Sequence, residues 1–128
     1  MARVLGIGGV FIKADDPKAL FGWYERHLGL PGECNPMNLF HWRHDDDPAK
    51  KGMTVWSLFK RDTDYFGKGP QTVMVNYIVD DLDGMLDSLR AGGADVDSRR
   101  DDSEYGRFGW ATDLEGNRIE LWQPPASV

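Results

Sequence analysis

The stretch GVFIKADDPKAL (residues 9–20) has a counterpart in MVNYIVDDLDGM (residues 74–85). In each copy a strand-like apolar run leads to a pair of aspartates and then to the start of a helical pattern. The aspartate pairs, residues 15–16 and 80–81, are separated by 80 − 15 = 65 positions. Self-similarity at a fixed offset is the mark of a repeated structural unit. The sequence therefore predicts a duplicated strand–helix unit.

The two aspartate pairs predict helix starts, because an aspartate side chain can accept hydrogen bonds from the free N–H groups of the first turn. The first helix is predicted over about residues 17–28, with Pro17 in its first turn and Gly29 after its end. The second is predicted over about residues 82–91 and is stopped by Gly92 and the glycine after it. Both carry one apolar stripe, which is typical of packing against a core.

Strand-like segments follow each helix. They are approximately residues 38–43 and 53–59 in the first half, and residues 95–98, 106–112 and 117–122 in the second half. This succession predicts an α+β fold in which one unit is duplicated. One domain covers residues 1–128, with modules of about residues 1–66 and 67–128.

Composition excludes several classes of function. The chain has 128 residues, 41% of them hydrophobic, and a formal net charge of −6, which is unlike a nucleic-acid binder. No apolar run has the length of a membrane span, and the N-terminal apolar run is interpreted as a first strand. The single cysteine, Cys34, allows no internal disulfide, so a cytoplasmic location is expected.

Three segments of the chain resemble the vicinal oxygen chelate superfamily, which includes glyoxalase I, bleomycin-resistance proteins and extradiol dioxygenases. They are IGGVFIKADDPKALFGWYERHLGL (7–30), VNYIVDDLDGMLDSLRAGGADV (75–96) and EYGRFGWATDLEGNRIELWQPP (104–125). The resemblance implies two tandem βαβββ modules that form a curled mixed sheet around a cavity. It also implies a homodimer.

The resemblance further implies four inward-facing positions, where metal-dependent members carry His, Gln or Glu. They fall on Gly9, Trp56, Met74 and Glu120, with Trp56 placed by aligning the glycine at 52 with that at 116. Only Glu120 is a ligand for a hard cation, whereas a catalytic zinc needs about three protein ligands. We therefore expect no metal and no other cofactor there. A divalent metal elsewhere, using His41, remains an alternative.

Strand alternation and the resemblance together suggest a set of ligand-contacting residues in the cavity. The predicted substrate-binding residues are Gly9, Phe11, Trp56, Met74, Asn76, Tyr105, Arg107, Trp110 and Arg118. For the aromatic residues a place in the core is the simpler alternative. The glycines at 8 and 9 are read either as room for a ligand or as a β-bulge.

Glu120 has three interpretations. It is a catalytic general acid or base with a raised pKa; it pairs with Arg118 or Arg107; or it orients a ligand. The favoured function is binding of an unknown small molecule without the usual metal. The alternative is a lyase, isomerase or dioxygenase that uses Glu120, with or without an unconventional divalent metal. A third possibility is a dimeric interaction module with a vestigial pocket.

Overall fold

The structure is a computed structural model that describes residues 1–126. Its strands are β1 (Val4–Ala14), β2 (Met37–Arg43), β3 (Lys51–Lys60), β4 (Val73–Val79), β5 (Asp95–Ser103), β6 (Gly106–Thr112) and β7 (Arg118–Gln123). Its helices are α1 (Pro17–Leu28) and α2 (Leu82–Ala91), with a single 3₁₀ turn at Gly32–Cys34. Neither helix of the described chain is long and apolar enough to pass through a membrane.

All seven strands form one curled, unclosed sheet in the order β2-β3-β1-β4-β7-β6-β5. The two modules meet where β1 and β4 pair antiparallel at its centre. Each of these strands also pairs parallel with the last strand of its own module, β1 with β3 and β4 with β7. The predicted α+β fold with two tandem modules is thus confirmed, and the modules pair within one chain.

Both aspartate pairs cap helices as predicted. The side chain of Asp16 accepts a hydrogen bond from the backbone N–H of Ala19 at 3.1 Å, and Asp81 accepts one from Gly84 at 3.1 Å. Gly29 ends α1 with a φ of 72°, a left-handed conformation that favours glycine. Helices begin and end at these positions because the free backbone groups find partners there.

The helices cover one face of the sheet. Phe21 of α1 packs against Trp56, with ring centroids 5.9 Å apart. Leu82 and Leu86 of α2 form a buried cluster with Val79 and Leu121. The opposite, concave face is therefore left to form the cavity.

The two modules differ in one respect. After α2 come three strands, but after α1 only two, and residues 61–72 run as an irregular segment instead of a further strand. That segment carries Tyr65 and the fully buried Phe66 beneath the concave face. β5 also continues to Ser103, five residues beyond its predicted end, because it pairs with the whole of β6.

Candidate functional site

A cavity of about 450 Å³ lies on the concave face of the sheet; we call it the cup. The strands β2 and β3 contribute apolar side chains, among them Leu39, Met53 and Val55. Phe11, Phe108 and Trp122 complete an aromatic and aliphatic wall. Among the described residues the charged groups in this wall are two acids, Glu104 and Glu120.

Glu120 is the hub of a buried hydrogen-bond network at the cup floor. Its side chain is only 1% exposed. Oε2 accepts hydrogen bonds from the Tyr65 hydroxyl and from the indole Nε1 of Trp110, the latter at 2.9 Å. Oε1 accepts one from Nδ2 of Asn76 at 2.5 Å. Both carboxylate oxygens are thus held by donors from the protein itself.

Burial raises the pKa of Glu120 above its ordinary value of 4.5. The three hydrogen bonds and the positive charge of Arg118 oppose that effect without overcoming it. Burial also raises the pKa of Tyr65, and the neighbouring Glu120 adds to the effect. Tyr65 is therefore a neutral donor, and Glu120 takes up a proton more readily than an exposed glutamate does.

The irregular segment positions Tyr65. Its ring stacks on Phe59 at 5.5 Å with an interplanar angle of 12°, and it meets Trp110 edge to face at 6.1 Å. Phe66 beside it is buried in the cluster of Phe11, Met74 and Trp110. Packed on both sides, Tyr65 closes the floor of the cup over Glu120.

Of the predicted site residues, Phe11, Asn76, Tyr105 and Glu120 lie in the cup wall. Oδ1 of Asn76 is buried and has no hydrogen-bond partner among residues 1–126. Tyr105 stands at the turn between β5 and β6 and is 68% exposed. The structure thus brings together residues from both modules.

A β-bulge explains the glycine pair. The register between β1 and β4 shifts between Ile7 and Gly9. A Cβ at Gly8 would lie 2.2 Å from Oδ1 of Asn76, and one at Gly9 would lie 2.7 Å from the ring of Phe11. The bulge therefore turns both glycines toward the concave face, whereas regular alternation predicts that Gly8 points outward.

Met74 and Trp110 lie beneath the cup rather than in its wall. They are 0% and 1% exposed and share a core cluster with Phe11 and Phe66. Trp110 reaches the site only through its hydrogen bond to Glu120. For Trp110 the simpler alternative, a place in the core, is the one the structure shows.

The predicted position of Trp56 is wrong. Its ring contacts Phe21 and Tyr24 of α1, on the face away from the cup. In the sheet Phe11 pairs with Ser57, and Asn76 pairs with Glu120.

The repeat offset identifies the true counterpart of Glu120. Phe11 and Asn76 are equivalent, since 76 − 11 = 65, so the residues they pair with are equivalent too. Glu120 therefore corresponds to Ser57, which lies in the cup wall. The alignment of Gly52 with Gly116 was wrong by one residue, because Gly52 already lies in β3. A shift of one residue moves a strand side chain to the other face.

The two predicted arginines also lie elsewhere. Arg107 forms ion pairs with Asp83 and Asp102 on the α2 side of the sheet. Arg118 pairs with Asp97 at 3.0 Å, with its guanidinium over the ring of Trp110. Neither is a hydrogen-bonded partner of Glu120 or part of the cup wall, so the predicted ion pair is wrong.

The donor set of the cup does not fit the metal site of the superfamily. The four equivalent positions hold Gly9, Ser57, Met74 and Glu120, and a single carboxylate with one hydroxyl is far from the three ligands that zinc needs. Both oxygens of Glu120 already accept protein hydrogen bonds. Within residues 1–126 no group of three His, Cys, Asp or Glu residues is placed to hold a metal. His41 is exposed on the edge strand β2, outside the cup wall.

Comparison with known families now identifies the fold. The profile of the glyoxalase-like domain matches residues 9–122. The chain belongs to the glyoxalase-like domain family. Membership in the vicinal oxygen chelate superfamily, predicted from three sequence segments, is confirmed. No curated protein matches this glyoxalase-like chain in sequence.

Several solved structures share the fold. Methylmalonyl-CoA epimerase from Streptomyces coelicolor is 18% identical, with a TM-score of 0.72 over 97% of this chain and 100% of that one. The epimerase from Mycobacterium tuberculosis is 22% identical, with a TM-score of 0.60 over 97% and 91% of the two chains. A hypothetical protein from Bacillus halodurans is 10% identical, with a TM-score of 0.64 over 99% and 97%. At these identities the likeness shows the fold alone.

Among the residues that hydrogen-bond to Glu120, Tyr65 is the one that the sequence reasoning missed. It lies in the Asp- and Gly-rich stretch DTDYFGKG (62–69), which carries no strand or helix pattern. Two adjacent aromatic residues in such a stretch were the available signal, because large aromatic side chains are usually buried and a buried tyrosine hydroxyl finds a hydrogen-bond partner.

Proposed function

We propose that this glyoxalase-like protein binds the apolar part of a small molecule in its cup, without a metal at the superfamily's usual position. The observation that carries the proposal is that three protein donors engage both carboxylate oxygens of Glu120 inside a mainly apolar cavity. A volume of about 450 Å³ lies within the range of small-molecule sites.

The cup wall defines the chemistry of the part that it encloses. An anionic group placed there would meet Glu120 and Glu104 without a cation to offset them. The unpaired Oδ1 of Asn76 favours a ligand that brings one N–H or O–H donor. The enclosed part is accordingly uncharged, aromatic or aliphatic, and carries at most a donor group.

Titration with the neutral fluorophore N-phenyl-1-naphthylamine tests the proposal. We expect saturable binding to the wild-type protein and weaker binding to Leu39→Trp, which fills the cup from the edge strand. Thr63→Ser, outside the cup wall, is the control. No binding to the wild type, or equal binding to Leu39→Trp, contradicts the proposal.

Metal analysis is the second arm. The purified protein is equilibrated separately with zinc, nickel, manganese and iron, then dialysed and its metal content measured. We expect substoichiometric retention of each. Tight binding of one metal per chain that is lost in Glu120→Gln overturns the metal-free part of the proposal.

A second candidate function is proton transfer by Glu120 in a lyase or isomerase, favoured by its raised pKa in an apolar cavity. Tyr65 would have to move, because Glu120 is only 1% exposed. Turnover found in a substrate screen should then disappear in Glu120→Gln while the fold is retained. Unchanged turnover in that variant removes this candidate.

A further inference from the structure

A second cavity of about 500 Å³ adjoins the cup. It lies where β1 begins, where β4 and β7 end, and beneath the connection from β2 to β3. Met53 and Trp122 line both cavities, which therefore meet at these two side chains. Leu5, Ile78 and Pro124 give this second cavity an apolar floor. We call it the cleft.

The cleft and the cup carry opposite charge. The cleft is lined by Lys50, Lys51 and His44 and by a single acid, Asp80. Within residues 1–126, neither lysine forms an ion pair. Asp80 is engaged elsewhere, accepting the backbone N–H of Arg3 at 2.8 Å. Two lysines against one acid give the lining of the cleft a net positive formal charge, whereas the charged groups in the cup wall are acids.

We propose that cup and cleft together bind one amphipathic anion, with its apolar body in the cup and its anionic group at Lys50 and Lys51. The inference rests on the proposed function and adds the class and orientation of the ligand. The anionic group is a carboxylate, sulfonate or phosphate at one end of an aromatic or aliphatic body.

Two physical arguments fix the orientation. An anion in the cup would lie beside the buried Glu120, and burying it there without a cation is strongly unfavourable. The lysines of the cleft are exposed and flexible, so they can approach an anionic group that stays partly hydrated. Apolar burial then supplies most of the affinity, and the charges supply selectivity.

A matched pair of fluorescent probes tests the orientation. The first is N-phenyl-1-naphthylamine, and the second is 8-anilinonaphthalene-1-sulfonate, which has the same ring system plus one sulfonate. At low ionic strength we expect the sulfonate to bind wild-type protein about three- to tenfold more tightly. Added salt should remove that preference, because it screens exposed charges.

Charge variants locate the anion site. The double variant Lys50→Gln/Lys51→Gln should lose the sulfonate preference while it binds the neutral probe like the wild type. Lys60→Gln/Lys68→Gln makes the same change of charge outside both cavities and should keep the preference. A preference that survives in the first variant, or is absent from the wild type, overturns the inference.

Cup variants test whether one ligand spans both cavities. Leu39→Trp and Val55→Trp fill the cup without touching the cleft. Two positions are used so that at least one folded variant, judged by circular dichroism and melting, is in hand. Both probes should lose affinity in it. Wild-type affinity for the sulfonate in a filled-cup variant means that the cleft acts alone, which contradicts the spanning ligand.

The two proposals fail in different ways. Absence of neutral-probe binding to the wild type overturns the proposed function. If the neutral probe binds and the sulfonate is not preferred, the proposed function stands, and only the anion site in the cleft is overturned.

Discussion

The Tyr65 hydroxyl donates a hydrogen bond to Oε2 of Glu120, a residue 55 positions later in the chain. This contact joins the irregular segment of the first module to the last strand of the second. A metal ion bound at this position would compete with the protein's own donors for the two carboxylate oxygens of Glu120. Here a phenol, an indole and an amide satisfy them, so the floor of the cup is closed by the protein's own side chains.

Tyr65→Phe should reduce the free energy of unfolding by about 1–3 kcal/mol, because one buried donor to the carboxylate is lost. Urea denaturation monitored by circular dichroism measures the change. Tyr105→Phe removes a hydroxyl from a residue that is 68% exposed and should have almost no effect. Equal losses in the two variants would mean that the Tyr65 contact contributes nothing specific.

Glu120→Gln should also destabilise the fold, again by about 1–3 kcal/mol. The new amide has one oxygen and one NH₂ group, so a buried donor must face either Asn76 or the pair Tyr65 and Trp110. Glu115→Gln, in the exposed turn before β7, is the matched control and should stay within about 0.5 kcal/mol of the wild type. If Glu120→Gln were as stable as the control, Glu120 would not be the stabilising centre of the buried hydrogen-bond network.

The stability difference between the wild type and Glu120→Gln should depend on pH. The pKa of Glu120 is raised on folding, so the folded state binds its proton more tightly than the unfolded state. That contribution is fully present below about 4.5 and is lost as pH rises through the folded pKa. The free energy of unfolding of the wild type, relative to that of Glu120→Gln, should therefore increase as pH falls toward about 4.5.

Comparing the two proteins isolates this effect. Exposed aspartates such as Asp46, Asp83 and Asp113 have lowered pKa values, and their contribution is lost as pH falls. Their trend is common to both proteins and cancels in the difference. Denaturant titrations at a series of pH values measure the unfolding free energy of the wild type minus that of Glu120→Gln. A difference that is independent of pH, or that increases as pH rises, would contradict the prediction.

The sequence predicted the fold because its signals are local. The aspartate pairs are helix caps whose oxygens reach backbone N–H groups three residues away, so the offset of 65 is visible without a structure. The match to the glyoxalase-like domain covers residues 9–122 and so includes both copies of the pattern. Helix bounds followed from Pro17 and Gly29, which act through their own backbone conformations.

The site was harder to predict, because its geometry depends on register. Trp56 and Ser57 differ by one position and lie on opposite faces, and only the pairing of β3 with β1 decides between them. Gly8 faces the concave side because of a bulge that the alternation rule does not contain. Tyr65 reaches Glu120 from a segment without periodicity, so no local pattern relates the two.

Trp56→Leu should separate stability from binding. The indole packs between Phe21 and Tyr24 on the helix-covered face, so its loss should cost about 2–4 kcal/mol of unfolding free energy. Affinity for N-phenyl-1-naphthylamine should remain that of the wild type, because the side chain is outside the cup. Ser57→Leu is the neighbouring comparison and should change probe affinity. A variant of Trp56 with weakened binding but normal stability would restore the original sequence prediction.

Gly8→Ala should disturb both cavities through their shared wall. The added Cβ would lie 2.2 Å from Oδ1 of Asn76, 2.8 Å from Cε3 of Trp122 and 2.9 Å from Cγ1 of Ile78, so these side chains must move. Overpacking of this kind costs roughly 1–3 kcal/mol.

Because Trp122 lines both the cup and the cleft, affinity for both naphthyl probes should fall in the same variant. Gly69→Ala is its control: within residues 1–126, no atom beyond the adjoining residues lies within 4 Å of the added Cβ, and the backbone there has no left-handed φ. Thermal unfolding and probe titration of the two variants check both effects. Wild-type stability and probe affinity in Gly8→Ala would show that the bulge accommodates the added Cβ and that neither cavity depends on Gly8.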